Sequence, residues 1–456
     1  MKTISNLLLE QIKVGDTAST ERVLQVRDVR AWAAAFGEIG PCDADSDRQG
    51  AIAILSALLT ALVGSALPGP GSIVQAVSVS LTEGASVTLI DTPLTITLTV
   101  RDIQLATGRL TLAGQVTNPA GQPVITAVLE VSAPLKSERR ERIEHRLDGL
   151  LHRCAGLKPM LTGIVHPCSA EALAGAVEAA QAGLITPVLF GPEAELQRLA
   201  KAASLSLDGY RLVDTSGPEE SAMKAAMEAG SGAVQALMKG SLHTDVLLHA
   251  ILQKEVNLRT GRLISHCLMV SAPTYARRFV ISDVALNIAP DTDQKRDICQ
   301  NAIGFARAMG IETPKVAILA AVETVRTKMP ATLDGAILAK MADRGQIVGG
   351  VVDGPLDLDA AVDAEAARIK QIRSPVAGLA DVLIVPNIEA GNMIYKNLAF
   401  MADAQTAGLV VGARVPVILT SRADTGDVRR FSAAAAVLYA DALAKDPSLL
   451  TPEVAE

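Results

Sequence analysis

Residues 233–252 read AVQALMKGSLHTDVLLHAIL, which joins an apolar run, a loop of small and polar residues, and a helical pattern. The apolar run predicts a buried β-strand, and the apolar spacing after the loop predicts a helix. The same kind of run recurs at 187–190, 315–319, 381–385 and 415–419. From about residue 158 these runs alternate with Ala-rich helical stretches, which is typical of a parallel sheet with crossover helices. We therefore predict an α/β architecture for residues 158–456.

The first part of the chain follows a different pattern. Residues 94–100 and 124–129 alternate apolar and polar side chains, which predicts strands of an antiparallel sheet with one polar face. An apolar helical stretch at 51–63 precedes them, so residues 1–135 are predicted to fold as an α+β domain with a sheet around a central helix. The charge-rich segment 136–157 is predicted to be a linker or an exposed helix.

The bulk composition excludes several classes of partner. The net charge of −7 argues against nucleic-acid binding, which needs a basic surface. The longest apolar stretch, 51–66, is shorter than a bilayer-spanning helix, and no secretory signal follows Met1, so a cytoplasmic protein is expected. The five cysteines form no Cys-x-x-Cys pair and are expected to be reduced.

Three loops that follow predicted strands carry candidate chemistry, because open parallel sheets bind ligands outside the carboxyl ends of their strands. The loop 239–245 combines Lys239 with small residues and a helix start, which suits a phosphate, although Ser, Thr or Asp at a helix start is more often only a cap. The loop 386–392 offers Gly391 and Asn392, with Lys396 one turn along the next helix. The loop 420–427 gathers hydroxyls, a guanidinium and two carboxylates, which suits either transfer chemistry on an anion or a salt-bridged turn.

Metal and nucleophile motifs are missing from the sequence. His243 and His249 are six positions apart, which does not place them on one helix face, so no metal is expected. No Gly-x-Ser-x-Gly motif occurs, which disfavours a catalytic triad.

Taken together and in order, these loops resemble those of the phosphate acetyltransferase and phosphate butyryltransferase family. The resemblance runs from about Lys158 to the C-terminus and is carried by ALMKGSLHT (236–244), DVALNIAP (283–290), AVET (321–324), GVVDGPL (350–356), 386–396 and 420–422. It implies a two-part α/β fold related to the isocitrate dehydrogenases, with 158–285 and 412–456 in one part and 286–411 in the other. It also implies a homodimer or a higher homo-oligomer.

The reaction that the resemblance implies is reversible. Acyl-CoA and phosphate give acyl phosphate and CoA, by direct attack of the thiolate, without a covalent acyl-enzyme or a required metal. Coenzyme A and phosphate are thus expected as substrates, not as bound cofactors.

The resemblance also assigns residues. The catalytic pair falls on Ser421 and Arg422, where Arg422 would hold the phosphoryl group and Ser421 would hydrogen-bond the developing oxyanion or the leaving group. The acetyltransferases place the Asp that acts as general base seven positions after the Ser, whereas this chain has Asp424 at three and Asp427 at six, of which Asp427 is preferred. The predicted binding residues are Lys239, Gly240, Ser241, Thr244, Asp283, Asn287, Asn387, Gly391, Asn392 and Lys396.

Residues 1–135 resemble the hot-dog fold of the MaoC-like enoyl-CoA hydratases, through VRDVRAWA (26–33), the Phe36-Gly37 turn and LPGPGS (67–72). In order, the two parts resemble the bifunctional hydratase and phosphate acetyltransferase proteins. The hydratase Asp and His fall on Glu38 and Asp43, and Asp43 cannot replace an imidazole near pH 7. The hydratase site is therefore predicted to be degenerate.

Three functions remain open at this point. The leading one is a phosphate acyltransferase with an inactive hot-dog domain. The alternatives are a true bifunctional enzyme with hydratase activity, and a non-catalytic module that binds acyl-CoA. The sequence leaves the acyl group, acetyl or butyryl, undecided.

Overall fold

A computed structural model describes residues 2–35, 44–82, 89–142, 147–419 and 426–449. The chain divides into two compact units, Met1–Ile143 and Glu144–Glu456, and the division falls inside the segment predicted to be a linker. Each unit is described by itself.

The first unit is a sheet packed on a long helix. Its helices are α1 (Val26–Ala35) and α2 (Ala44–Ser65), and its strands are β1 (Lys2–Ser5), β2 (Thr17–Val23), β3 (Ile73–Leu81), β4 (Pro93–Gln104), β5 (Arg109–Thr117), β6 (Pro123–Ser132) and β7 (Arg139–Arg142). Within the described part, β2, β4, β5, β6 and β3 form an antiparallel sheet in that order.

The core of this unit forms because β4, β5 and β6 each bury a mainly apolar face. Leu94, Ile96 and Leu98 on β4 are fully buried, as are Leu55 and Leu59 on α2. The alternation that predicted a half-buried strand is confirmed at β4. The charged segment differs from expectation, since β7 pairs antiparallel with β1 and the facing backbone groups of the two short strands are hydrogen-bonded to each other.

The second unit is a mixed α/β fold. Its helices are α3 (Asp148–Cys154), α4 (Ala170–Gln181), α5 (Glu193–Ala202), α6 (Pro218–Gly230), α7 (Thr244–Ile251), α8 (Thr292–Ala308), α9 (Pro330–Asp343), α10 (Leu358–Val362), α11 (Ala364–Ile369), α12 (Ile388–Met401) and α13 (Gly426–Lys445). Its strands are β8 (Met160–Val165), β9 (Ile185–Gly191), β10 (Arg211–Asp214), β11 (Ala236–Lys239), β12 (Ser265–Ser271), β13 (Phe279–Ser282), β14 (Lys315–Leu319), β15 (Val351–Leu356), β16 (Val382–Ile384), β17 (Gln405–Val411) and β18 (Val417–Ile418).

The described strands of this unit form one sheet in the order β10-β9-β8-β11-β18-β17-β12-β13-β16-β14-β15. The predicted parallel pairing holds at both ends of the sheet. The centre differs, because β12 pairs antiparallel with both β17 and β13, and β17 pairs antiparallel with β18. Only residues 272–278 separate β12 from β13, which is too short for a crossover helix.

No helix of the described residues is both long and apolar enough to cross a bilayer. In the same residues, no group of three His, Cys, Asp or Glu side chains is placed to hold a metal ion.

Candidate active site

A cavity of about 490 Å³ in the second unit is lined by residues of the strands β11, β12 and β17, of the helices α7, α12 and α13, and of nearby loops. The register aligns Met238, Ile418, Leu409 and Cys267 in one row across β11, β18, β17 and β12. Next to this row, Leu268 pairs with Gly408. The lining consists of Lys239, Leu242, His243, Thr244, His266, Leu268, Ala285, Asn392, Tyr395, Lys396, Gly408, Leu419, Val428 and Ser432.

Four of the predicted binding residues lie in this lining. Lys239 ends β11 and Thr244 begins α7, so the loop between them brings a cation and a helix N-terminus to the cavity. Asn392 and Lys396 lie one turn apart on α12. The Lys396 Nζ atom lies 4.7 Å from the ring centroid of Tyr395 and 5.4 Å from that of Phe400, and these rings hold the cation in place.

The other residues of the 239–245 loop hold its shape. The Ser241 hydroxyl donates a hydrogen bond to the His166 carbonyl at 2.9 Å. Gly240 lies so close to the backbone that an added Cβ would come within 2.4 Å of the Val165 carbonyl oxygen. The structure thus places Gly240 and Ser241 in the packing of the loop and outside the cavity lining.

Asp283 and Asn287 likewise organise a loop. The buried Asp283 carboxylate accepts hydrogen bonds from the backbone N–H groups of Ala285 (2.9 Å) and Leu286 (3.1 Å), and from the Asn287 side chain. The Asn287 side chain also donates to the Ile264 carbonyl at 3.0 Å. These bonds place Ala285 in the cavity lining, while Asp283 and Asn287 lie outside it.

Asn387 and Gly391 position α12. The Asn387 side chain caps the helix by accepting the Ala390 N–H at 3.0 Å. At Gly391 an added Cβ would lie 2.4 Å from the Asp283 carbonyl oxygen, so the absence of a side chain lets α12 approach the Asp283 loop. The Asn392 side chain then donates to the Val284 carbonyl at 3.2 Å.

The catalytic predictions fall on or beside a part of the chain that is not described. Ser421, Arg422 and Asp424 lie outside the described residues, but Leu419 and Val428, on either side of that part, both line the cavity. Asp427 is described; its carboxylate accepts a hydrogen bond from Arg430 at 2.8 Å and is not part of the lining. Val428 stands seven positions after Ser421.

Sequence reasoning missed four polar residues of the lining, namely His243, His266, Tyr395 and Ser432. Ser432 is fully buried on α13, and its hydroxyl accepts the Gly408 N–H at 3.0 Å. His266 is 5% exposed on β12. The available signal was a histidine directly before the apolar run Cys267–Val270, since buried polar residues are uncommon in such strands.

The described lining contains two lysines and no Asp or Glu, so it favours anionic ligands. The described cysteines are free, and none lies in the lining. Burial raises the pKa of the Cys154 and Cys168 thiols to about 11, and that of Cys267 and Cys299 to about 12. These thiols are therefore protonated near neutral pH and are poor nucleophiles.

Comparisons with known proteins identify the family. A family model described as phosphate acetyl/butaryl transferase matches residues 218–437. A phosphate acetyltransferase from Rhizobium meliloti is 50% identical over 295 residues, which are 65% of this chain and 93% of the relative. The chain belongs to the phosphate acetyl/butyryltransferase family. It is an acyltransferase, and reversible transfer of an acyl group between CoA and phosphate is the reaction of this family.

Other members of the phosphate acetyl/butyryltransferase family match a comparable share of this chain. A phosphate butyryltransferase from Clostridium acetobutylicum is 41% identical over 263 residues, which are 58% of this chain and 87% of the relative. The crystal structure of a branched-chain phosphotransacylase from Enterococcus faecalis V583 has 30% identity and a TM-score of 0.55, covering 62% of this chain and 99% of that one. The predicted family of the second part is thus confirmed.

Proposed function

We propose that the acyl transfer takes place in the cavity lined by Lys239, Thr244, Asn392 and Lys396. The observation that carries this proposal is the cationic lining without a described carboxylate, because CoA, phosphate and acyl phosphate are all anions. The N-terminus of α7 adds the positive end of a helix dipole. Apolar residues of the lining, such as Leu268 and Leu419, provide a surface for a short acyl chain.

Ser421 and Arg422 are proposed to act at this cavity. Two facts support the assignment: the family resemblance of the Thr420-Ser421-Arg422 stretch, and the lining positions of Leu419 and Val428. Arg422 would hold the phosphoryl group and offset the charge on the leaving phosphate, and Ser421 would stabilise the developing oxyanion. Asp424 and Asp427 stay predictions for the proton acceptor.

The transfer is proposed to be direct. CoA attacks the acyl carbon as its thiolate, and phosphate leaves without a covalent acyl-enzyme. The raised thiol pKa values and the positions of the described cysteines support a route without an enzyme thiol. A metal is not part of the proposal, so turnover after treatment with EDTA should equal that of untreated enzyme.

The test is release of thiol from acetyl-, propionyl- and butyryl-CoA, with and without phosphate, by wild type and by Arg422→Ala. Phosphate-dependent release that falls at least about 100-fold in the variant supports the assignment, since a lost charge-stabilising donor costs about that much. The three rates rank the acyl groups. Release that ignores phosphate, or a fully active variant, would contradict the proposal, and CoA binding without turnover would favour the binding module.

The first unit is proposed to be a hot-dog domain without hydratase activity. Glu38 and Asp43 lie outside the described residues, and the resemblance in sequence supports the proposal, because Asp43 stands where the hydratases have a histidine. Hydration of crotonyl-CoA at a rate typical of enzymes would establish the bifunctional alternative instead. We further propose a cytoplasmic homodimer or higher homo-oligomer, which light scattering on the purified chain tests.

A further inference from the structure

A second cavity, of about 570 Å³, lies in the same unit and is called the arginine cavity here, after its lining residues Arg259, Arg262 and Arg296. The rest of its lining comes from the end of α7, the segment between α7 and β12, the first turns of α8 and the residues that follow β17. It shares no lining residue with the cavity proposed above for acyl transfer, which is called the transfer cavity below.

Two of the three arginines have hydrogen-bond donors to spare. The Arg259 side chain is exposed and makes no hydrogen bond or ion pair with a described residue. Arg262 is half-buried, and its Nη1 atom donates to the Asn301 side-chain oxygen at 3.2 Å and to the Leu449 carbonyl at 3.3 Å. Its Nε and Nη2 atoms have no partner among the described residues, and both keep access to solvent. Burial lowers the pKa of the Arg262 guanidinium, so an anion beside it would be stabilised.

The two carboxylates of the arginine cavity are already engaged. Asp297 accepts the Leu263 N–H at 3.0 Å with one oxygen and pairs with Arg296 at 3.1 Å through the other. Asp293 lies 3.6 Å from the same guanidinium. The lining as a whole sets three arginines against two carboxylates and is therefore cationic, and the positive charge that is left belongs to Arg259 and Arg262.

The segment Arg259–Arg262 is held in a fixed shape that brings both guanidinium groups to one cavity. The Thr260 hydroxyl donates to the Gly412 carbonyl at 2.5 Å and accepts the Arg262 N–H at 3.3 Å. The backbone of Arg259 pairs antiparallel with that of Ala413. Because the backbone is already ordered, an anion that binds here has only side chains to immobilise.

The arginine cavity lies close to the transfer cavity. On α7, Thr244 lines the transfer cavity and Ile251 lines the arginine cavity, and seven residues of helix span about 10 Å. Next to β12, Ile264 lines the arginine cavity, whereas His266 and Leu268 line the transfer cavity. Positions two apart along a strand share one face, so both cavities lie on the same face of the sheet. One long molecule can therefore reach both.

CoA has the shape that two such cavities require. Its thiol lies at one end of a flexible arm, and an adenosine with phosphoryl groups at its 3′ and 5′ positions lies at the other end. Guanidinium groups bind phosphoryl oxygens in pairs and stack on aromatic rings, so Arg259 and Arg262 suit both the phosphates and the adenine. The accessible apolar side chains of Leu252 and Ile264 add a surface for the base.

We propose that the arginine cavity binds the nucleotide end of CoA, with Arg259 and Arg262 donating hydrogen bonds to its phosphoryl groups while the thiol enters the transfer cavity. The two arginines are positioning residues, because they lie away from the reacting atoms. They should therefore act on the affinity for CoA and leave the chemical step unchanged. This assignment rests on the proposed function.

The experiment measures binding of CoA and of adenosine 3′,5′-bisphosphate, which is the nucleotide end without the arm, by isothermal titration calorimetry. The proteins are wild type, Arg259→Gln and Arg262→Lys. Glutamine removes the charge, whereas lysine keeps the charge and removes the planar fork. Arg373→Gln is the matched control, because Arg373 is also exposed, makes no hydrogen bond or ion pair with a described residue, and lies outside both linings.

Arg259→Gln should raise the Kd of both ligands at least about tenfold, since a hydrogen bond to a charged group is usually worth that much. Arg262→Lys should raise both Kd values at least about threefold, because the bidentate contact is lost. In acyl-CoA synthesis, the KM for CoA should rise by the same factors, with kcat within about twofold of wild type. Arg373→Gln should match wild type in every measurement.

Inorganic phosphate is the second source of the same chemistry and is titrated in the same way. If Arg259→Gln weakened binding of inorganic phosphate but left the Kd of CoA unchanged, the cavity would be a separate anion site and the assignment would be overturned. A wild type that does not bind adenosine 3′,5′-bisphosphate, or an Arg259→Gln enzyme that loses kcat at an unchanged Kd for CoA, would also overturn it. Binding is measured without turnover, so a wild type without phosphate-dependent thiol release would refute the proposed function as a separate outcome.

Discussion

Gly391→Ala is the most direct test of how the second unit builds its cavity. The new Cβ would lie 2.4 Å from the Asp283 carbonyl oxygen, 2.9 Å from the Val385 Cγ2 atom and 3.2 Å from the Val284 Cα atom. Real Cβ atoms keep at least 3.0 Å from such atoms, so α12 and the Asp283 loop must separate by at least about 0.6 Å. Two of the nearest atoms are backbone, which cannot rotate away.

The magnitude follows from two opposing effects. Alanine in a helix is favoured over glycine by about 1 kcal/mol, whereas overpacking a tight contact costs about 1–3 kcal/mol. The free energy of unfolding should therefore fall by up to about 2 kcal/mol. Activity should fall further, because the elements on the two sides of this contact carry the lining residues Asn392, Lys396 and Ala285, and a misplacement of about 1 Å can cost 100-fold. We expect kcat/KM to drop at least about tenfold.

The assay is phosphate-dependent thiol release together with urea unfolding. Gly64→Ala is the matched control: Gly64 also lies in a helix, α2, and an added Cβ there would meet no atom within 4 Å. That variant should keep its activity and be unchanged or slightly more stable. Wild-type activity and stability in Gly391→Ala would refute the reasoning, because the contact would then be able to relax without moving the site.

Three further predictions follow from charge and burial. Lys396→Ala should raise the KM for phosphate about tenfold, and the difference from wild type should shrink in 0.5 M salt, because the lost interaction is electrostatic. Folded enzyme at pH 7.5 should leave Cys267 and Cys299 unmodified by iodoacetamide, as peptide mass spectrometry will show, because burial raises both pKa values to about 12. The stability linked to these raised pKa values is fully present below the ordinary value of 9.0 and is lost progressively as pH rises towards 12. The free energy of unfolding of the second unit, measured in urea, should therefore fall above pH 9 by up to about 1.4 kcal/mol per pH unit for each thiol. The fall should be less steep in Cys299→Ala, which has one of these thiols fewer.

Much of the fold could be predicted because its signals are local. The run Lys315–Leu319 is both the predicted and the observed strand β14, and the strand predicted at 187–190 lies inside β9. The antiparallel centre of the sheet was not predicted, because an apolar run predicts a buried strand but not whether that strand runs parallel or antiparallel to its neighbours. Only the short connection between β12 and β13 indicated the reversal.

The candidate site could be predicted in part, for a physical reason. Lys239, Thr244, Asn392 and Lys396 reach the cavity, while Gly240, Asp283 and Asn387 serve loops and a cap from the same stretches of sequence. Ligand binding and loop building use the same backbone N–H groups, small residues and short polar side chains. Residue type and spacing therefore predict which stretches of sequence form the candidate site. Only the structure shows which residues of a stretch line the cavity and which hold the shape of its loop or cap.

His266 was not predicted, because ligands of an open α/β sheet gather at the carboxyl ends of parallel strands, whereas His266 lies inside the strand β12. In this sheet the central strands β12 and β17 run antiparallel, and His266, Leu268 and Gly408 inside them line the cavity. Residues inside those strands thus become candidates for chemistry. Gly408 has no side chain where the imidazole needs space, and that complementarity between neighbouring strands is a contact that neither residue reveals alone. The histidine and the glycine therefore form one packing feature of the cavity lining, and substituting either should disturb the same part of it.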